Sequence, residues 1–260
     1  MRTFTQAAMM AVVGLAAASA ANAASAAAAK PTIVLVHGAF AESASWTGVV
    51  AKLSKDGYPV LAAANPLRSV AGDAAYVGKL LDSIKGPVVL VGHSYGGSVI
   101  SVAAVGKSNV KSLVYVSAFA PETGESGLAL SSKFPGSSLG DTLAPPVSLP
   151  TGGVDLYIQA KKFPHQFAAD VAPGQAAIMA ATQRPVTQAA LEEPATGSAW
   201  KTIPSWSIYG SSDLNIPPKA LAFMAQRAKS RHTVVVKGAS HVVMVSHPTE
   251  VAALIEEAAR

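Results

Sequence analysis

The pentapeptide Gly92-His93-Ser94-Tyr95-Gly96 sets one serine between two glycines, directly after the apolar run Pro87 to Val91 and directly before Gly97 and a small-residue helical pattern. A strand, a tight turn and a helix in that order force the serine into strained backbone at the top of a sheet. The glycines remove side chains that would clash there, and the hydroxyl is presented as a nucleophile. Such a serine needs a general base, and the base needs an orienting acid. Asp213 follows the apolar run ending at Tyr209, in Gly210-Ser211-Ser212-Asp213, and His241 follows the run ending at Val236, in Gly238-Ala239-Ser240-His241. All three residues fall at the carboxyl ends of expected strands, in the order serine, acid, histidine.

Other titratable residues fit these roles less well. His247 stands before Pro248 at the start of a helical pattern and His232 before a strand, so both read as structural or surface residues. His165 lies in a region suited to substrate contact, and His93 should turn away from the serine hydroxyl and pack locally. Asp141, Asp155 and Asp170 are too far from the strand ends to serve as the acid. Backbone N–H groups must also meet the charge that develops during attack. Tyr95, next after the nucleophile, supplies one. The loop His37-Gly38-Ala39-Phe40 supplies the second, from Ala39 or, failing that, Phe40, with the His37 imidazole shaping the loop.

The elements that must position these groups are legible as continuous apolar runs: Thr32 to Val36, Pro59 to Ala63, Val88 to Val91, Ser112 to Val116, Trp206 to Tyr209 and Thr233 to Val236. They read as parallel strands buried on both faces. Helical patterns alternate with them over about Ser45–Asp56, Asp73–Lys85, Tyr95–Val105, Pro218–Ala228 and Pro248–Ala259. The fold class is therefore α/β, a doubly wound, mainly parallel sheet of about six strands. The alternation breaks between Ala120 and Ile203. That stretch reads as a helical lid inserted at the carboxyl edge of the sheet, with helices over Val154–Ala169 and Gly174–Ala190 and no strand. Phe119, Trp206 and Met244 are the expected walls of a mainly hydrophobic substrate pocket.

With 260 residues, 50% hydrophobic and 13% charged, the chain suits one globular domain over residues 31–260. Arg2, the apolar stretch Ala7 to Ala18 and Ala21-Asn22-Ala23 have the layout of a signal peptide over 1–23, with 24–30 as a short linker. Export to the periplasm or beyond the cell follows, with no stable membrane insertion after cleavage. The absence of cysteine removes disulfides, thiolate metal sites and a cysteine nucleophile. The net charge of +5 is spread singly or in pairs such as Lys161-Lys162, a solvated basic surface with none of the runs that track nucleic acid. Oligomeric state is not encoded in any feature of this kind.

His37-Gly38, the Gly92–Gly96 elbow, Asp213 and His241 together resemble the α/β-hydrolase superfamily, from about Pro31 onward. Gln183-Arg184-Pro185-Val186, Trp200-Lys201-Thr202-Ile203-Pro204 and the stretch Ser240-His241 to His247-Pro248 resemble a group of small bacterial serine hydrolases, esterase-like in character. The two antiparallel strands that lead the fullest superfamily pattern have no counterpart. The resemblance implies hydrolysis of a small-molecule ester or lactone, with Ser94, His241 and Asp213 as a triad, an acyl-enzyme intermediate, and neither metal nor organic cofactor. Epoxide hydrolases and haloalkane dehalogenases of this fold carry aspartate at the elbow, where Ser94 stands. Plant hydroxynitrile lyases carry lysine after the catalytic histidine, where Val242 stands. An acyltransferase or a cofactor-free haloperoxidase (perhydrolase) would use the same triad. A non-catalytic ligand-binding protein would have no chemical need of all three residues.

Overall fold

Residues 30–260 are described by a computed structural model of the protein, and the export segment expected over 1–23 lies outside the described residues. Runs of aliphatic and β-branched side chains become strands here because layers of helix cover both faces of one sheet. Along the chain come β1 (Thr32–Val36), α1 (Thr47–Lys55), β2 (Val60–Ala63), α2 (Val70–Ser83), β3 (Val88–His93), α3 (Tyr95–Ala103) and β4 (Val110–Val116). An excursion over residues 117–204 carries α4 (Gly127–Ser132), β5 (Val147–Ser148), β6 (Val154–Leu156), α5 (Phe163–Phe167), α6 (Pro173–Thr182), β7 (Val186–Thr187) and α7 (Gln188–Glu192). The chain then returns through β8 (Ser205–Gly210), α8 (Pro218–Arg227), β9 (Thr233–Val236), α9 (Val243–Ser246) and α10 (Pro248–Ala258).

The main sheet has the order β2-β1-β3-β4-β8-β9, with every neighbouring pair parallel. From β1 the chain steps one way to β2, then crosses back over β1 to β3 and continues in that direction. Right-handed crossovers therefore put α1 on one face and α2 and α3 on the other. The packing agrees: α1 lies against α10, and α2 against α3. The reversal leaves a crevice at the carboxyl ends of β1 and β3, the place where open α/β sheets bind ligands.

Close approach at this crevice depends on glycine. A Cβ on Gly96 would lie 2.5 Å from the Val36 carbonyl oxygen, and one on Gly97 would lie 2.1 Å from that of Phe119. Gly97→Ala is expected to destabilise the fold by about 3 kcal/mol, the upper end of overpacking costs, because backbone and not a flexible side chain must give way. Calorimetry reads this directly; an unchanged unfolding midpoint would show that α3 has slack against β4.

The excursion departs from the expectation of two helices without strands. It forms a three-stranded antiparallel sheet, β5-β6-β7, in which Asp155 pairs with Val147 on one side and Thr187 on the other. Helix is confined to Phe163–Phe167 and Pro173–Thr182 within the two stretches expected to be helical, before α7 begins at Gln188. Strands of two or three residues carry no readable period, and β6 and β7 find each other across the whole stretch that carries α5 and α6. Gly152 and Gly153, both at positive φ, turn the chain from β5 into β6. Arg68, just before α2, pins this small sheet by bonding Asp155 Oδ1 at 2.6 Å and the Pro185 carbonyl at 2.7 Å. Among the described residues no helix is long and apolar enough to cross a membrane.

Candidate active site

Ser94 joins β3 to α3 at φ 53°, ψ −123°. A non-glycine residue in such backbone costs on the order of 1–3 kcal/mol and persists only where its surroundings enforce it. Here the Ser94 N–H donates to the Val116 carbonyl at 3.2 Å, and the Ser94 carbonyl accepts from Gly97 at 2.9 Å and Phe119 at 3.1 Å. A Cβ at Gly92 would meet the Gly96 carbonyl oxygen at 2.7 Å, and one at Gly38 would meet Ser94 Cβ at 2.6 Å. Glycine at both positions is thus the condition for the elbow and for the loop beside it.

Asp213 and His241 meet where two loops touch backbone to backbone, since a Cβ on Gly210 would lie 2.2 Å from the Ala239 carbonyl oxygen. His241 Nδ1 donates to Asp213 Oδ2 at 2.7 Å, with both side chains buried. The second carboxylate oxygen accepts the N–H groups of Asn215 at 2.8 Å and Ile216 at 3.0 Å. Three donors on one carboxylate fix its plane. A carboxylate can only accept, so Nδ1 carries a proton, and in the neutral ring Nε2 is then the acceptor, the tautomer a general base requires.

His93 ties the elbow to the histidine loop. Its Nε2 donates to the His241 carbonyl at 3.2 Å, and the two rings lie 4.8 Å apart. Burial, seconded by the neighbouring His241, holds the His93 imidazole well below the ordinary histidine range, so it is neutral. On the other side of Ser94, the Tyr95 hydroxyl donates to Asp73 Oδ2 at 2.9 Å. Burial foremost, with Asp73 beside it, pushes that phenol far above its usual value. Tyr95 is thereby anchored to α2.

The β1 loop is braced by His37. Its Nδ1 donates to the Gly38 carbonyl at 3.0 Å, its Nε2 accepts the Asn65 N–H at 3.1 Å, and Asn65 Nδ2 donates to the His37 carbonyl at 3.0 Å. Burial lowers its pKa from 6.5 to about 4, with Arg184 adding to the effect and the Gly38 bond opposing it. The unfolded chain therefore takes up this proton before the folded one as pH falls. Stability contributed by neutral His37 is complete above about pH 6.5 and is lost between about pH 6.5 and 4, by about 3 kcal/mol. Urea unfolding of wild type and His37→Gln across that window checks it. The wild-type slope should be the steeper, with His93 leaving a residual slope in both; equal slopes would refute the assignment.

Phe40 is corrected as an oxyanion donor. Its N–H donates to the Arg184 carbonyl, within the excursion, at 3.0 Å and is therefore already engaged. Among the described residues, neither Ala39 nor Tyr95 donates its N–H to a protein acceptor, and Tyr95 opens α3, where first-turn N–H groups have no partner in the helix. Both line the same cavity as Ser94.

That cavity encloses about 590 Å³. Phe40, Phe119, Leu143, Leu156, Leu191 and Ile216 give it apolar walls, and Glu192 is the one charged residue lining it among the described residues. Of the three expected pocket residues only Phe119 is there. Trp206 lies elsewhere on β8, its Nε1 donating to Glu257 Oε1 of α10 at 3.1 Å, with the Arg231 guanidinium over its ring. Met244 is fully buried in α9. Among rival histidines, His232 pairs with Glu257 at 2.8 Å on the surface, His247 lies 3.5 Å from Asp170, and His165 sits on α5. Among the described residues no three His, Asp or Glu side chains gather as around a metal ion. Sequence reasoning misses Asn65 and Gln166, which carry no local motif, and gives Asp170 no role because it lies far along the chain from the strand ends.

The family model described as alpha/beta hydrolase family matches residues 33–254. The alpha/beta hydrolase nvfD of Aspergillus novofumigatus is 29% identical, over 88% of this chain and 97% of its own length. A carbendazim hydrolyzing esterase of Nocardioides is 37% identical over a shorter stretch, 37% of this chain and 46% of the relative. Among solved structures, polyneuridine aldehyde esterase superposes with a TM-score of 0.76 at 19% identity, covering 88% of this chain and 98% of that one.

Proposed function

Because the chain belongs to the alpha/beta hydrolase family, we propose that it is a serine hydrolase that cleaves a carboxylic ester or lactone through Ser94, His241 and Asp213. The observation that supports this reading is the strained Ser94 lining an apolar cavity, next to His93, whose ring lies 4.8 Å from the His241 of a buried His241–Asp213 pair bonded at 2.7 Å. His241 Nε2 takes the Ser94 proton as Oγ adds to the carbonyl carbon. The N–H groups of Ala39 and Tyr95 meet the resulting oxyanion, a contribution of about 10²–10³ in rate per donor. Collapse expels the alcohol, protonated by His241, and leaves an acyl-Ser94. Water, deprotonated by the same imidazole, then releases the acid and restores the serine.

A fluorophosphonate probe tests the nucleophile without knowledge of the substrate. It should add covalently to the peptide containing Ser94 and to no other, as read by mass spectrometry of the digested protein. A folded protein that resists labelling would remove the assignment. Turnover of p-nitrophenyl esters from acetate to long acyl chains then measures the pocket.

The lining supports an uncharged substrate. Among the described residues no lysine or arginine faces the cavity, and Glu192 adds a negative charge. A carboxylate on the acyl group would be desolvated there with no partner. A butyrate ester should therefore exceed the corresponding hemisuccinate by at least about tenfold in kcat/KM. Equal rates would refute the neutral-substrate reading. The export segment read over residues 1–23 supports an encounter with that substrate outside the cytoplasm.

A further inference from the structure

We propose that α5 and the turn after it hold the acid and the histidine of the site in register, with Gln166 and Asp170 as positioning residues. This inference rests on the triad reading above. Gln166 is buried, with both amide hydrogens donated and its oxygen accepting one bond. Nε2 donates to the Leu214 carbonyl at 2.9 Å and to Asn215 Oδ1 at 2.8 Å, while Oε1 accepts from Ser138 Oγ at 2.8 Å. Leu214 and Asn215 are the two residues after Asp213, and the Asn215 N–H is itself a donor to the acid. Four residues beyond Gln166, Asp170 Oδ1 accepts the Ser240 N–H at 3.1 Å and also the Ser240 hydroxyl. Ser240 immediately precedes His241.

Between these two anchors Phe167 lays its ring 5.0 Å from the His241 imidazole, inclined at 60°. The His93 ring lies beside the same imidazole, 4.8 Å away and tilted by 53°. Residues 166–170 thus touch the acid loop, the histidine ring and the histidine loop, and these contacts end within two residues of Asp213 or His241. Asp170 also reaches the surface, where His247 stands 3.5 Å away, so its carboxylate is not simply filling the core. The two loops share one backbone bond, from the Ser212 N–H to the Ala239 carbonyl at 3.0 Å. The excursion adds side-chain bonds to each loop, on the far side of Asp213 and at Ser240.

The test is long-range 1H–15N spectra of the imidazoles, with steady-state kinetics on whichever ester proves best. In wild type His241 should show one tautomer, protonated at Nδ1. In Gln166→Ala and Asp170→Ala the His241 nitrogens should move toward a tautomer average, and kcat should fall about 10- to 100-fold with KM little changed. Asp170→Asn keeps an oxygen for Ser240 and should recover most of both signals. His241 resonances and kcat unchanged in a folded Asp170→Ala or Gln166→Ala would overturn the proposal, as would a loss of stability with kcat intact. The tautomer is read without substrate. It therefore judges the clamp even if Ser94 proves not to be the nucleophile, a failure the fluorophosphonate experiment reports separately.

Discussion

Replacing Ser94 with alanine is expected to lower kcat by about 10⁶, the scale seen when the nucleophile of a coupled triad is removed. The residual rate, owed to the cavity and the Ala39 and Tyr95 N–H groups, should stay above that in water. The fold should survive, because the elbow is enforced by the Val116, Gly97 and Phe119 backbone bonds and by its glycines, none of which the hydroxyl touches. Unfolding free energy within about 1 kcal/mol of wild type is expected. Ser94→Gly sharpens the point. At φ 53° glycine relieves strain, so this variant should be equally inactive yet more stable by about 1 kcal/mol. A Ser94→Ala protein that still turns over esters at an appreciable fraction of the wild-type rate would remove the serine from the mechanism.

Asp213→Asn should cost about 10⁴ in kcat with little change in KM. The carboxylate receives three donors: His241 Nδ1 on one oxygen, Asn215 and Ile216 on the other. An asparagine can keep only one oxygen. If that oxygen faces the two backbone N–H groups, its NH₂ must point at His241 Nδ1 and compel that nitrogen to become an acceptor. The proton then sits on Nε2, the atom that takes the Ser94 proton in the proposed mechanism. If it is turned the other way, two backbone donors oppose an NH₂ in a buried site, which costs a few kcal/mol. Kinetics joined to imidazole nitrogen shifts distinguish this tautomer effect from misfolding, and near-wild-type activity would show that another group orients His241.

The six strands of the main sheet are legible in the sequence because each is a largely apolar run; the inner ones are buried on both faces, as in Ile33–Val36 and Val88–Val91, whereas the edge strands β2 and β9, expected to be buried likewise, are mostly half-buried or exposed because each has a neighbour on one side only. The elbow at Ser94 and the loops that bring Asp213 to His241 are legible for a related reason: an elbow and two strand-end loops are each written within a few residues. The excursion is not. Val154–Leu156 and Val186–Thr187 are too short to show a period, and only pairing across the chain makes them the strands β6 and β7. Trp206 and Met244 mislead because an apolar residue near a strand end reads alike whether it faces cavity or core. Gln166 and Asp170 meet partners 48 to 70 positions away, beyond any local pattern. Phe40 misleads because the carbonyl that takes its N–H belongs to Arg184, far along the chain and beyond any local pattern.

The two halves of the excursion have different duties. Residues 127–146 supply much of the cavity wall, from Gly127 and Leu128 through Phe134 to Leu143 and Pro146, whereas residues 163–182 supply none of it and instead include the grip on the acid and histidine loops. Inheritance can act on these halves separately. Substitutions in the first can reshape the cavity while the contacts that the second makes to the Asp213 and His241 loops stay as they are. The shape of the cavity and the support of the loops are thus carried by different residues and can vary independently.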